Sequence, residues 1–354
     1  MIEFRGVTKR FGDGTVAVDG LDLVVESGRV TVFVGPSGCG KTTSLRMINR
    51  MIEPSEGTVT VDGRDVMSGD AADLRRGIGY VIQQAGLFPH KTIQDNIATV
   101  PLLLGWSKAR ARARAQELME IVGLGQEMAK RYPAQLSGGQ QQRVGVARAL
   151  AADPPVLLMD EPFSAVDPVV RESLQEELLR LQGELGKTIV FVTHDIDEAV
   201  KLGDKVAVFR TGGHLAQYAE PAELLSRPAD GFVDGFVGRD RGYFRLGFLE
   251  DEPPLGPLTP VRVGDIAHGG WSLVVDPENR PLGWVTGEGV VAEADIVPGG
   301  TLHVVGSGSL RSALDAALSS PAGHGVAVDA EGRLVGSISA DDVLAAITAA
   351  REAA

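Results

Sequence analysis

The fold is decided by the stretch VFVGPSGCGKTT, residues 32–43, in which a short apolar run leads into a glycine-rich loop. The loop fits the pattern G-x-x-x-x-G-K-[ST] and is followed by residues with helical spacing. Its glycines, Gly35, Gly38 and Gly40, permit positive φ, so backbone N–H groups can surround the phosphates of a nucleotide. The following helix would direct its partly positive N-terminus at the same phosphates. An ordinary glycine-rich turn between a strand and a helix is the structural alternative.

The same loop supplies the candidate nucleotide contacts. Lys41 can neutralise phosphate oxygens, and the hydroxyl of Thr42 can bind Mg²⁺. The candidate contacts of the loop are Gly35, Pro36, Ser37, Gly38, Cys39, Gly40, Lys41, Thr42 and Thr43.

Composition narrows the class of protein. The 354 residues are 44% hydrophobic, which is enough for two or three domains with their own cores. The net charge of −13 and the pI of about 5.0 argue against a nucleic-acid partner. The single cysteine, Cys39, allows no intramolecular disulfide and fits a reducing, cytosolic setting. We expect neither a signal peptide nor a membrane span, so that a membrane role would come through a partner.

Two apolar runs end in residues that can do chemistry. Residues 156–159 lead into Asp160 and Glu161, and residues 188–193 lead into His194. Continuous apolar runs are typical of central parallel strands, whose carboxyl ends carry the active site in doubly wound sheets. We expect Asp160 to hold Mg²⁺ and Glu161 to orient and deprotonate the attacking water. His194 lies where the γ-phosphate side should be, although a lone histidine is more often structural.

Two further stretches fit a nucleotide. The run LSGGQQQ, residues 136–142, opens a helix at which Ser137, Gly138 and Gly139 can present N–H groups to a second phosphate, or can simply cap the helix. Phe11, beside a Gly-Asp-Gly turn, can stack on a nucleotide base or can be a core residue.

Together these residues resemble the nucleotide-binding subunit of an ATP-binding cassette (ABC) transporter over about residues 1–240. The glycine loop resembles the Walker A motif, residues 156–160 resemble the Walker B strand, and residues 136–140 resemble the family signature. The resemblance implies an α/β fold: a P-loop NTPase domain with a RecA-like core, an antiparallel β subdomain and a helical subdomain.

The resemblance adds roles to particular residues. Gln83 lies at the Q-loop position and Asp167 in the D-loop, while Phe11 takes the place of the adenine-stacking aromatic residue. The implied catalytic residues are Lys41, Gln83, Glu161 and His194, and the implied Mg²⁺ ligands are Thr42, Gln83 and Asp160. The implied ATP contacts outside the loop are Phe11, Ser137, Gly138, Gly139, Gln140 and Asp167.

The resemblance also implies partners. Two copies pair head to tail, so that each ATP lies between the glycine loop of one copy and the signature of the other. ATP closes the pair, and Gln83 with residues 84–150 transmits this movement to membrane-spanning permease subunits. A substrate-binding protein is an indirect partner, and the chain would lie in the cytoplasm on the inner face of the membrane.

The tail contains an internal repeat. Residues 274–286 align with residues 327–339, an offset of 53 positions, and each unit reads as a strand, an acidic turn, a strand and a following helix. This resembles a tandem pair of cystathionine-β-synthase (CBS) modules, a small α/β unit. The predicted domains are a nucleotide-binding domain at 1–238, a linker at 239–258, a degenerate first repeat at 259–300 and a second repeat at 301–354.

The sequence leaves open whether the tail binds a nucleotide. Ser339 and Asp342 fit the [ST]-x-x-D pattern that can hold a nucleotide ribose in CBS modules, whereas the first repeat has Thr286-Gly287-Glu288-Gly289 instead. A pair of modules that only dimerises is the alternative.

A cassette with a paired CBS tail resembles the ATPases of importers for glycine betaine, choline, carnitine or proline. An importer of another small solute, such as an amino acid, would share every motif. A DNA-repair or translation cassette is disfavoured by the single cassette and the acidic charge. An inactive cassette is disfavoured because Lys41, Glu161 and His194 are all present.

Overall fold

The computed structural model describes residues 1–83, 86–164, 166–238, 241–249 and 251–353. It divides into two units, Met1–Val237 and Gly238–Ala354. Of the stretches discussed above, Gln84, Ala165, Arg239 and Asp240 lie outside the described residues. In the described part of the chain, no helix is both long and apolar enough to span a membrane.

The first unit contains two sheets and the helices that pack on them. Its strands are β1 (Ile2–Arg10), β2 (Val16–Val25), β3 (Val30–Val34), β4 (Glu56–Val61), β5 (Arg64–Asp65), β6 (Ile78–Val81), β7 (Val156–Asp160), β8 (Thr188–Val192), β9 (Lys205–Arg210) and β10 (His214–Ala219). Its helices are α1 (Lys41–Ile48), α2 (Ala71–Arg76), α3 (Ile93–Ile97), α4 (Thr99–Leu103), α5 (Lys108–Ile121), α6 (Gly138–Leu150), α7 (Pro168–Leu185), α8 (Ile196–Leu202), α9 (Pro221–Ser226) and α10 (Gly231–Val237).

The larger sheet has the strand order β10-β9-β3-β8-β7-β6. Strands β9, β3, β8, β7 and β6 run parallel, and β10 pairs antiparallel with β9. Every residue of β3, β7 and β8 is buried, as expected for parallel strands covered on both faces. The three continuous apolar runs of the sequence are therefore the central strands.

The smaller sheet is antiparallel, in the order β2-β1-β4-β5. It shares a hydrophobic core with the larger sheet, in which the rings of Phe4 and Phe33 lie 6.4 Å apart and those of Phe33 and Phe209 lie 5.2 Å apart. This core holds the first strand of the smaller sheet against β3, the strand that leads into the glycine loop.

Local sequence signals set several helix ends. Ser107 caps α5 by accepting a hydrogen bond from the N–H of Arg110 at 3.3 Å, and serine is a residue type favoured at this position. Helix α1 ends at Ile48, and Arg50 lies in the left-handed region with φ 51°. The N–H groups of Met51 and Ile52 both donate to the carbonyl of Arg46, so these two residues form the turn that ends the helix.

The second unit is a smaller α/β unit. Its strands are β11 (Ile266–Val275), β12 (Pro281–Val290), β13 (Leu302–Val304), β14 (Gly325–Val328) and β15 (Leu334–Ile338). Its helices are α11 (Arg241–Arg245), α12 (Leu310–Ser319) and α13 (Ala340–Ala353). The hairpin β11–β12 forms one sheet, and β13-β14-β15 forms another. Leu246 packs in the core beside Leu310 and Ile338, so part of the stretch predicted as a linker belongs to this core.

The two stretches that align in the sequence form the same turn. The N–H of Asp276 donates to the carbonyl of Arg280, and the N–H of Arg280 donates to the carboxylate of Asp276. Asp329 and Arg333 form the same two hydrogen bonds. The helix predicted to follow the second strand forms in only one of the two units. Helix α13 follows β15, whereas β12 extends to Val290 and is followed by a 3-10 turn, Glu293–Asp295. Gly287 and Gly289, which have φ of 103° and 139°, lie in the segment where that helix was expected and disfavour helical geometry.

Candidate functional site

Parallel pairing brings the candidate residues to one edge of the larger sheet. Because β3, β6, β7 and β8 run in the same direction, the glycine loop, Gln83, Asp160 and His194 all follow the carboxyl ends of neighbouring strands. The backbone also links these ends directly: the N–H of Glu161 donates to Val192 O at 3.0 Å. This edge is where doubly wound sheets bind their ligands.

The glycine loop needs glycine for two physical reasons. Gly35 and Gly40 have φ of 151° and 97°, a region that side-chain-bearing residues rarely adopt. A Cβ at Gly35 would lie 2.2 Å from Phe209 O, and a Cβ at Gly40 would lie 2.2 Å from Ala17 O. The loop is therefore pressed against neighbouring backbone, which holds its N–H groups in a fixed arrangement.

Lys41 lies inside the loop. Its Nζ donates to Gly35 O at 2.7 Å and to Pro36 O at 3.0 Å, and the residue is only 5% exposed. The ammonium group is thus held at the centre of the loop, where phosphate oxygens can compete with neutral carbonyls for it. Cys39 Sγ lies 3.7 Å from the same Nζ, but burial raises the pKa of the Cys39 thiol, so it stays protonated and unreactive.

Asp160 is a buried carboxylate with partners on both oxygens. Oδ1 accepts from Thr42 Oγ1 at 2.8 Å, while Oδ2 accepts from Arg46 at 3.2 Å and from the Tyr80 hydroxyl at 3.3 Å. Burial raises the pKa of Tyr80, and the charge of Asp160 raises it further, so the phenol remains a donor. The sequence analysis does not identify Arg46 and Tyr80 as partners of Asp160. The feature that points to them is their position on α1 and β6, the two elements that flank the end of β7.

Thr42 and Asp160 fit a magnesium ion. A carboxylate and a hydroxyl separated by 2.8 Å offer the hard oxygen ligands that Mg²⁺ prefers, and phosphate oxygens and water ordinarily fill its remaining positions. The described residues contain no cluster of three or more His, Cys, Asp or Glu side chains suited to a metal. A metal held by Thr42 and Asp160 would take its remaining ligands from phosphate oxygens and water.

Gln83 lies beside Glu161 rather than beside Asp160. Its Nε2 donates to Glu161 Oε2 and to Ser164 Oγ, both at 3.3 Å. His194 Nδ1 lies 3.3 Å from the same Glu161 oxygen. The amide and the imidazole thus converge on one carboxylate oxygen, where they can orient it towards a water molecule.

Glu161 has unusual backbone geometry. Its φ of 47° lies in the left-handed region, which is uncommon for a residue with a side chain. The hydrogen bond from its N–H to Val192 O maintains this conformation. This turn changes the direction of the chain directly after Asp160, so the carboxylates of Asp160 and Glu161 contact different partners.

The signature residues form a capped helix start. Ser137 Oγ accepts from the N–H of Gln140 at 3.3 Å, and Gln140 Oε1 accepts from the N–H of Ser137 at 3.0 Å, a reciprocal capping box. Gly138 and Gly139 form the first turn of α6, where N–H groups point out of the helix. The capping box and an anion site at this helix start are compatible, because only two of the N–H groups take part in the box.

Two remaining cassette residues are exposed. Phe11 is 40% exposed and follows β1, with Lys9 Nζ 5.3 Å from its ring centre, so it is not a core residue. Its face is available for stacking. Asp167 is exposed directly before α7, and its carbonyl accepts from the N–H of Arg171 at 2.8 Å.

In the tail, Ser339 and Asp342 contact each other. Ser339 Oγ accepts from the N–H of Asp342 at 3.1 Å and donates to its carboxylate at 2.5 Å, which caps α13. A ribose hydroxyl would have to share the carboxylate with this serine.

Comparisons with known proteins decide the family. The ABC transporter model matches residues 18–164. The osmoprotectant import ATP-binding protein OsmV of Salmonella typhimurium is 46% identical over 364 residues, which cover 96% of this chain and 94% of that protein. The chain belongs to the ABC transporter family. It is an ATP-binding subunit, and the sequence-based identification of its ABC ATPase fold and of its ATPase activity is confirmed.

Two further matches agree with this family. The glycine betaine/carnitine/choline transport ATP-binding protein OpuCA of Bacillus subtilis is 54% identical to this ABC subunit over 263 residues, covering 74% of this chain and 69% of that protein. Among solved structures, a dimeric post-hydrolysis state of an ATP-binding cassette bound to ADP and Pi matches with a TM-score of 0.57 and 36% identity. That match covers 62% of this chain and 99% of the other.

The close packing of Gly40 gives a first prediction. Gly40→Ala should lower the free energy of unfolding by at least about 2 kcal/mol, because the residue would keep a left-handed φ and overlap Ala17 O. Gly12→Ala is the matched control, since its Cβ would meet nothing within 4 Å. Urea unfolding of the two full-length variants makes the comparison, and equal stabilities would show that the loop can move away from β2.

Proposed function

We propose that this chain is the energy-coupling ATPase of an importer for quaternary-amine osmoprotectants of the glycine betaine, choline, carnitine or proline type. The observation that carries the proposal is the match to OsmV, which includes the tail as well as the cassette. An importer of another small solute, such as an amino acid, is the alternative, because the substrate is recognised by other subunits.

In the proposed hydrolysis, the loop N–H groups and Lys41 bind the phosphates. Glu161 orients and deprotonates the attacking water, while Gln83 and His194 hold its carboxylate in place at 3.3 Å. Thr42 and Asp160 would hold Mg²⁺, which neutralises charge on the β- and γ-phosphate oxygens when bound. Phe11 offers its exposed ring to the adenine.

The proposed partners complete the site. A second copy would place its signature residues, Ser137, Gly138, Gly139 and Gln140, on the phosphates held by the first copy. Asp167 would lie close to the interface between the two copies. Two features support this: the capped start of α6 is a ready anion site, and the similar solved cassette is dimeric. Permease subunits would receive the movement through Gln83 and the helices α3–α6, with a substrate-binding protein acting indirectly. The chain would then lie on the cytoplasmic face of the membrane.

Replacing the proposed base should separate ATP binding from hydrolysis. Glu161→Gln should bind ATP as the unchanged chain does but hydrolyse it at least about 100-fold more slowly, because an amide cannot accept the proton of the attacking water. The trapped ATP should then favour a dimer. A fluorescent ATP analogue, a phosphate-release assay and size-exclusion chromatography measure the three properties.

Two controls make this result specific. Glu172→Gln removes an exposed carboxylate of α7 that pairs with Lys201, and should leave hydrolysis unchanged. Adding Ser137→Arg to Glu161→Gln should keep ATP binding by the monomer but abolish the dimer. Normal hydrolysis by Glu161→Gln would remove Glu161 from the role of base, and a dimer that survives Ser137→Arg would contradict the composite site.

The transported solute is tested with the intact transporter in proteoliposomes. We expect ATP-dependent, saturable uptake of at least one of radiolabelled glycine betaine, choline, carnitine and proline, competed by the unlabelled compound. Transporter that carries Glu161→Gln is the control and should take up none. Uptake confined to amino acids that are not osmoprotectants would favour the alternative.

The tail is proposed to bind an adenine nucleotide at Ser339 and Asp342. In the full-length Lys41→Ala variant, which weakens the cassette site, labelled AMP or ATP should still bind in equilibrium dialysis. Asp342→Ala should abolish this residual binding, whereas Asp341→Ala, at a neighbouring position, should leave it intact. Residual binding that is indifferent to Asp342→Ala, or no residual binding, would leave the tail as a dimerising pair of repeats.

A further inference from the structure

A buried carboxylate lies next to the strand end that carries His194. Glu198, on α8, is only 8% exposed, and both of its oxygens have partners. Oε2 accepts from the hydroxyl of Thr193 at 2.6 Å, and Oε1 accepts from Nε2 of Gln175, on α7, at 3.1 Å. No sequence motif assigns a role to Glu198, Thr193 or Gln175.

Thr193 is fixed from three directions. Its N–H donates to Phe33 O at 3.1 Å, which ties it to the strand before the glycine loop. Its hydroxyl donates to Glu198 and accepts from the N–H of Asp195 at 3.0 Å. Since His194 lies between Thr193 and Asp195, these bonds fix the backbone on both sides of the histidine.

The histidine needs such support from its backbone. Its side chain is 58% exposed, and its contact with Glu161 is long, at 3.3 Å. A small rotation of the peptide would move the imidazole out of reach of that carboxylate. Displacements of about 1 Å in a catalytic group can cost about 100-fold in rate.

Glu198 also reaches the helix that follows Asp167. Gln175 lies on α7, and Arg171, one turn earlier, donates to Val166 O at 3.1 Å. Burial raises the pKa of Glu198, and the charge of Arg171 acts in the opposite direction. Burying an acidic group costs free energy unless its hydrogen bonds are satisfied, so this network needs both of its donors.

We propose that Glu198 is a positioning residue that fixes the peptide carrying His194 and ties it to α7. This inference rests on the role of His194 under the proposed function. Glu198 itself touches neither the phosphate loop nor Glu161; it acts through Thr193. The network links the residue that follows β8 to Gln175, two turns into α7, so the peptide that carries His194 is tied to that helix.

The test exchanges donors and acceptors within the network. Glu198→Leu removes both acceptor oxygens and leaves the buried donors of Thr193 and Gln175 without this partner, so it should lower kcat about 10- to 100-fold while the KM for ATP changes less than about 3-fold. In the double variant Gln175→Glu with Glu198→Gln, the carboxylate introduced at position 175 accepts from the amide introduced at position 198, so one donor again faces one acceptor. The amide oxygen at position 198 can still accept from Thr193. The kcat of this double variant should return to within about 3-fold of the unchanged chain.

One pair of variants and one control variant keep the test independent of folding. Thr193→Val removes the hydroxyl with little change in shape and should act like Glu198→Leu, whereas Thr193→Ser keeps the hydroxyl and should be near normal. Lys201→Gln, on the exposed side of α8, should have no effect. Melting temperatures of all variants identify any loss of kcat that comes from unfolding.

A double-mutant cycle with His194→Ala separates this inference from the proposed function. If Glu198 acts through His194, adding Glu198→Leu to His194→Ala should lower kcat no further. Fully additive losses, or a swap variant as slow as Glu198→Leu, would overturn the positioning role while leaving His194 in place. A normal kcat for His194→Ala itself would instead reject the proposed role of the histidine, and the inference with it.

Discussion

Parallel hydrogen bonding between β3, β8, β7 and β6 is the constraint on which the rest of the structure depends. It sets four strand ends side by side, so residues far apart in sequence converge on one edge. The three central strands, β3, β7 and β8, are buried throughout because both faces of the sheet are covered. The polar chemistry is therefore displaced to the strand ends and the loops beyond them.

At that edge, protein groups satisfy one another's hydrogen bonds. Lys41 donates to loop carbonyls, and Gln83 donates to Glu161. A nucleotide must exchange some of these bonds for bonds to phosphate, rather than enter a set of unsatisfied groups. Each exchange contributes only the difference in free energy between the hydrogen bond that is lost and the one that is formed.

The tail shows how far a repeat in sequence predicts a repeat in structure. The turns at Asp276 and Asp329 are the same because each aspartate accepts from the backbone four residues on. The segments after the two turns differ, since Gly287 and Gly289 lengthen the first hairpin where Ser339 caps a helix in the second. Arg280 donates to Glu331 O, so the two turns also contact each other, which no local pattern predicts.

The sequence by itself determined the glycine loop, the apolar central strands and the acidic and histidine residues at their ends, because each depends on local backbone preference or on burial of a continuous run. It also determined the family, through motifs with fixed spacing. Only the tertiary structure decided which side chains meet. Arg46 and Tyr80 on Asp160, Gln83 on Glu161 rather than on Asp160, and Glu198 behind Thr193 all join separate elements. Such pairings depend on strand order and helix packing, which no single stretch of the chain encodes.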